Sequence, residues 1–197
     1  KEGVTDGYFQ NMPFSKQKWG TVTFNARGKE YKHLRDFYCF RSSNAQMPLT
    51  KMEEVVFLGY GIEESIYNDY KGVDVKGKVI MILQGEPTNK KGVSHITKKL
   101  TQSSWATNWR KKVRAAKSNG AKAVLIIDPE VKKNINKYRK WLVESSLKMG
   151  LPDKEEELPM ANHFYISPQM AKDILGKKAK KLKKARKKIQ KKGKPYS

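Results

Sequence analysis

The strongest constraint on this chain lies between Glu53 and Leu83, which read EEVVFLGYGIEESIYNDYKGVDVKGKVIMIL. Two apolar runs, Val55-Val56-Phe57-Leu58 and Val79-Ile80-Met81-Ile82-Leu83, stand at its ends. Both are rich in β-branched and large apolar residues, and a glycine lies close outside each, so both read as short buried strands. The segment between them carries Gly72 and Gly77, residues suited to turn conformations that a Cβ resists. A chain with two such strands so close together must build a sheet and cover both its faces.

A second block repeats that demand. Trp109, Val113 and Ala116 recur at spacings of four and three, the stripe of an amphipathic helix. Thr107 or Asn108 can cap its start, and Gly120 stands where a left-handed C-terminal cap belongs. Ala123-Val124-Leu125-Ile126-Ile127 follows as another buried strand, stopped by Asp128-Pro129. A helix between two fully apolar strands is the pattern of a βαβ crossover.

The remaining segments are read from local signals. Tyr8-Phe9-Gln10 predicts a short strand. Thr21 to Phe24 alternates with period two, Arg27-Gly28-Lys29 marks a turn, and Tyr31 to Phe40 is the expected return of a hairpin. Residues 84–104 are polar and aperiodic, a long loop of the functional or mobile kind. Residues 130–162 read as polar loop, with Trp141, Leu142, Leu147 and Met149 as anchors. His163-Phe164-Tyr165-Ile166 is a last strand, and Ser167-Pro168 a capped helix start.

The two main blocks, in this order, resemble the protease-associated (PA) domain. More narrowly, they are similar to the PA insert of secreted co-catalytic zinc aminopeptidases, the family that includes glutamate carboxypeptidase and bacterial leucyl aminopeptidases. The resemblance rests on strand, Gly59-Tyr60-Gly61-Ile62, the Tyr67/Asp69/Tyr70 cluster, Gly72-Val73-Asp74-Val75-Lys76-Gly77-Lys78 and strand, then on the helix ending in Gly120-Ala121. It implies an α+β fold, a PA-like open β-barrel or sandwich with flanking helices and a Lys-rich C-terminal helix. Residues 1–20 would lead into the module, 21–175 would form it, and 176–197 would extend toward a peptidase domain.

No catalytic centre is legible. His33, His95 and His163 are far apart and outside any HExxH pattern, whereas a zinc site needs several ligands converging on one point. Glu53-Glu54, Glu63-Glu64 and Glu155-Glu156-Glu157 lack an accompanying metal-binding motif and read as solvated charge. Gly59-Tyr60-Gly61 is not a dinucleotide loop, since Glu64 stands where its third glycine would be. Cys39, the single cysteine, is expected to be a small buried hydrophobe. No catalytic, cofactor-binding or metal residue is therefore assigned to this chain. The resemblance puts zinc in a separate peptidase domain, which would be the module's partner together with peptide or protein substrate. It implies an exported parent, in the periplasm, cell envelope or outside the cell.

Charge raises one rival reading. The formal net charge is +23, and residues 176–197 hold 12 Lys/Arg and no Asp or Glu, leaving +11 on the rest. Together with four tryptophans, this suggests a nucleic-acid or polyanion binder. No RRM, KH or helix-turn-helix signature supports specific nucleic-acid recognition. In the tail, Ala171, Leu175, Ala179, Leu182, Ala185 and Ile189 form one narrow helical stripe among lysines, interrupted at Gly176. That stripe is expected to hold the helix only near Leu175 and Leu182, with fraying toward Gly193. No apolar run approaches the roughly 18–20 residues of a membrane span.

Overall fold

The computed structural model describes residues 14–17, 22–44, 54–143, 146–149 and 160–195. In chain order the strands are β1 (Phe14–Gln17), β2 (Thr23–Ala26), β3 (Lys29–Lys32), β4 (Phe37–Tyr38), β5 (Val55–Phe57), β6 (Glu63–Glu64), β7 (Tyr67–Asn68), β8 (Val79–Leu83), β9 (Ala123–Ile127), β10 (Ser146–Met149) and β11 (Asn162–Ile166). The helices are α1 (Ser104–Thr107), α2 (Trp109–Ser118), α3 (Val131–Val143), α4 (Pro168–Leu175) and α5 (Ala179–Lys192). The fold is α+β, as expected.

Its centre is a five-stranded sheet in the order β4-β11-β9-β8-β5. Strands β5, β8, β9 and β11 run parallel, and β4 closes one edge antiparallel. Every residue of β8 and β9 is buried, which explains why both read as unbroken apolar runs rather than alternating ones. Parallel neighbours need a crossover. Helix α2 supplies it between β8 and β9, and α3 between β9 and β11.

Local chemistry sets the ends of these elements. Asn108 caps α2 by accepting from the Arg110 amide, and its last turn closes with Gly120 at φ +76° and the Ala121 amide on the Ala116 carbonyl. Ser167 caps α4 by accepting from the Met170 amide, with Pro168 in the first turn. The β2–β3 hairpin turns at Arg27-Gly28, both at positive φ. Its return strand ends at Lys32, because residues 34–36 turn and Phe37-Tyr38 join the central sheet instead.

Part of the polar stretch 130–162 is helix, not loop: α3 spans Val131–Val143. Val131, Ile135 and Leu142 are its buried residues, spaced four and seven apart on one face, with Tyr138 completing the stripe. The breakers that argued for loop, Gly150, Pro152 and Pro159, all lie beyond the helix. Trp141 is not an anchor, being 65% exposed, whereas Leu142 is fully buried. Strand β10 follows and pairs antiparallel with β1. The strand expected at Tyr8-Phe9-Gln10 lies outside the described residues.

The tail also differs from expectation. The interruption at Gly176 is real, a residue at φ +53° opening a short 3-10 turn. Beyond it, α5 continues to Lys192 and ends on Gly193 in the left-handed region. Ala185 and Ile189 are completely buried, so the far half of the stripe packs as well as the near half. His95 meets this end through its Nε2, 3.0 Å from the Gln190 carbonyl.

Candidate functional site

The most concentrated polar chemistry lies under the Gly59-Tyr60-Gly61 turn, where sequence reasoning had assigned no site. The turn follows β5 and brings the Tyr60 and Ile62 amides onto Asp69 Oδ2, at 3.0 and 3.1 Å. The Tyr67 hydroxyl lies beside the same carboxylate, short of standard hydrogen-bond geometry. Gly59 has φ +56°, and a Cβ there would lie 2.5 Å from Asp69 Oδ1. A Cβ added to Gly61, at φ +64°, would lie 3.0 Å from the Ile82 side chain. Both glycines of the motif are therefore required by close approach.

Lys112 of α2 reaches into this region. Only 3% exposed, it donates from Nζ to the Leu83 carbonyl at 3.1 Å and to the Gly85 carbonyl. Its ammonium also stands 5.6 Å from the Tyr60 ring centroid. Burial lowers its pKa to about 7, opposed by the charges of Asp69 and Glu86. Burial raises Asp69 to about 6, opposed by the Ile62 and Tyr60 amides. Glu86, also buried, accepts from the Ser103 amide at 3.1 Å and from the Ser103 hydroxyl. The Ser103 hydroxyl in turn caps α1 through the Trp105 amide. One cation and two carboxylates thus tie the turn, the end of β8 and the start of the 84–104 loop to α2.

Two further polar groups are sealed in the core. His163 is fully buried, its Nδ1 3.2 Å from the Ala161 carbonyl and its Nε2 3.4 Å from Ser43 Oγ. Its ring packs on Trp109 at 4.6 Å between centroids, and burial lowers its pKa to about 4. Asp128 accepts from the Tyr38 hydroxyl at 3.0 Å and from Asn134 Nδ2 at 2.8 Å, and its Oδ1 accepts from the Glu130 amide. A general acid or base must come within hydrogen-bond reach of a substrate. These groups are instead occupied by core partners.

The other sequence candidates are placed apart. His33 packs against Phe37 at 5.5 Å, and His95 sits against the end of α5. Cys39 is buried, which pushes its thiol up to about 12, far from a reactive thiolate. Glu54 pairs with Lys78 at the surface. Glu63 accepts from Asn119 Nδ2, and Glu64 accepts from the indole of the buried Trp105 at 2.6 Å. Glu64 is thus a packing partner rather than solvated charge. Glu53 and Glu155 to Glu157 lie outside the described residues. Among the described residues no group of three or more His, Cys, Asp or Glu side chains could hold a metal ion.

A mixed α+β module whose buried ionisable groups are held by core partners is the class these features define. The PA domain family model matches residues 47–159, more than half of the chain, and the chain belongs to the PA domain family. No curated protein and no solved structure matches it. No helix among the described residues is long and apolar enough to cross a membrane.

Proposed function

We propose that this chain is the non-catalytic PA module of an exported zinc aminopeptidase, covering the peptidase cleft and governing which peptides reach it. PA domains are protease-associated, and the Gly59–Lys78 block is similar to the form inserted in that enzyme class. In this reading zinc and the catalytic base belong to the peptidase domain, and this chain contributes shape and contacts.

The observation that carries the reading is where large apolar side chains face solvent. Leu100 is 73% exposed on the 84–104 loop, and Trp141 and Val143 are 65% and 44% exposed at the end of α3. Both places lie on the long segments that follow β8 and β9, and a further exposed apolar side chain, Ile66 at 63%, stands in the β6–β7 turn. Tryptophan is enriched among residues that dominate binding interfaces. The Lys112 cluster anchors the root of the first segment through Glu86 and Gly85. The Asn89 side chain, accepting from the Lys91 and Val93 amides, holds a turn within it. A binding edge held in this way loses less entropy on docking.

The test is whether the gene encodes more chain beyond Ser197, and what it encodes. Zinc-ligand motifs of the aminopeptidase class are expected within about two hundred residues, the span of one domain. Their absence there would remove the aminopeptidase assignment and leave only the PA module.

A further inference from the structure

The angle between α4 and α5 forms an open groove of about 470 Å³ lined by Lys172, Ala179, Lys180, Lys183, Lys184 and Lys187. That volume falls within the roughly 300–1,000 Å³ usual for binding clefts. All five lysines are exposed, and among the described residues none is paired with a carboxylate. The nearest acid in sequence, Asp173, is turned away onto Lys29 at 2.7 Å. Lys180, Lys184 and Lys187 repeat at steps of four and three, so they line one face of α5 at about 5.4 Å per turn.

The shape and lining discriminate between anionic partners. The groove walls are aliphatic lysine stems with ammonium groups at their ends, an arrangement that takes apolar contacts below and carboxylates above. A bilayer is flat and would meet only the outermost ammonium groups, and with Ala185 and Ile189 fully buried against the body this face has no apolar stripe to insert. Lysines alone can neutralise phosphates, but the aromatic platforms and arginine forks that grip nucleic-acid strands more firmly do not line this groove. An extended peptide is narrow enough to lie in it and can present carboxylates along its length.

We propose that this groove binds an acidic peptide segment of a partner protein, its apolar side chains on the lysine stems and its carboxylates on Lys180, Lys183, Lys184 and Lys187. The surface is distinct from the Leu100 and Trp141 edges, and its occupation does not depend on which peptidase carries the module.

Fluorescence anisotropy of the whole chain tests this with a labelled peptide of about twelve residues, two Glu to each Leu, long enough to span α5. Binding is expected to disappear when the peptide's Glu residues are replaced by Gln. The K180E/K183E/K187E variant should bind about tenfold more weakly or worse, from the sum of several exposed ion pairs. The milder K180Q/K183Q/K187Q variant should fall between it and the wild type, with an unchanged melting temperature. K122E/K132E/K140E, the same charge change at exposed sites elsewhere, should bind as the wild type does. Equal weakening by the two reversal triples would show a response to net charge alone and overturn the proposal. So would an absence of binding, or tighter binding of a duplex DNA of equal charge or of phosphatidylglycerol vesicles.

Discussion

Gly59 and Asp69 share one volume: a Cβ on the first would stand 2.5 Å from Oδ1 of the second. The glycine is also at φ +56°, so any side chain there is strained before it meets the carboxylate. Asp69 cannot retreat without releasing the Tyr60 and Ile62 amides. Gly59→Ala is therefore expected to destabilise the module by about 2–4 kcal/mol. Chemical denaturation of the variant checks this, and an unchanged midpoint would contradict it.

Lys112→Met tests the ionic cluster. The methionine fills the lysine's volume but leaves Asp69 and Glu86 buried without their cation. It also strips the Leu83 and Gly85 carbonyls of their donor, and leaving buried polar groups unsatisfied costs about 1–3 kcal/mol each, a loss expected near pH 7. Asp69 is already raised to about 6 by burial, and removing the nearby ammonium raises it further. Acidification to about pH 5 should protonate it and recover part of the loss. A destabilisation equally large at both pH values would argue against charge as its cause.

His163 predicts a pH dependence of defined sign. Its imidazole is lowered to about 4 by burial, so between about pH 4 and 6.5 only the unfolded chain carries the extra proton. Stability from this group is full above that window and is lost as pH falls through it. Asp69 acts oppositely over nearly the same range, because its raised pKa makes the folded chain bind the extra proton. In His163→Phe only the Asp69 trend of this pair remains. Relative to wild type, the variant should therefore gain in melting temperature on going from about pH 7 to 4.5. Parallel melting curves would rule out a neutral buried His163.

Much of this fold was legible because its strands are buried on both faces. Val79–Leu83 and Ala123–Ile127 could form nothing polar-faced, and the α2 stripe with Gly120 named the crossover between them. Gly72 and Gly77 take positive φ, as their turn reading requires. Helix α3 was hidden because its apolar residues are few and separated by Lys132, Lys133, Lys137, Arg139 and Lys140. Gly150 and the prolines after it then lent the whole stretch their loop character. The Lys112 cluster was hidden for a different reason. A lysine in an amphipathic helix reads as solvent-facing unless its neighbours are known, and Asp69 and Glu86 are 43 and 26 residues away in sequence. The one available signal was Lys112 standing beside Val113, at the border of the α2 apolar stripe.

The tail carries its own prediction. Ile189 is fully buried and His95 holds the adjacent Gln190 carbonyl, while Arg186 lies beside the Tyr60 hydroxyl. Ile189→Ala should cost about 2–4 kcal/mol, as expected for a large-to-small change in a packed core. Amide exchange should show protection continuing through Ile189 even at low salt. Protection that ends near Leu182 would mean that lysine repulsion outweighs this packing.

The most direct measurement takes the zinc aminopeptidase that the proposed function gives this module as its parent, with and without residues 21–175. On the proposed reading the module contributes no catalytic group, so turnover of a single amino-acid anilide should survive the deletion. Selectivity between that anilide and a long peptide should change by about tenfold or more in kcat/KM, equivalent to about 1.4 kcal/mol of transition-state discrimination. A folded, zinc-loaded deletion variant with unchanged selectivity would contradict a role in substrate access. Loss of anilide turnover in such a variant would contradict a non-catalytic module.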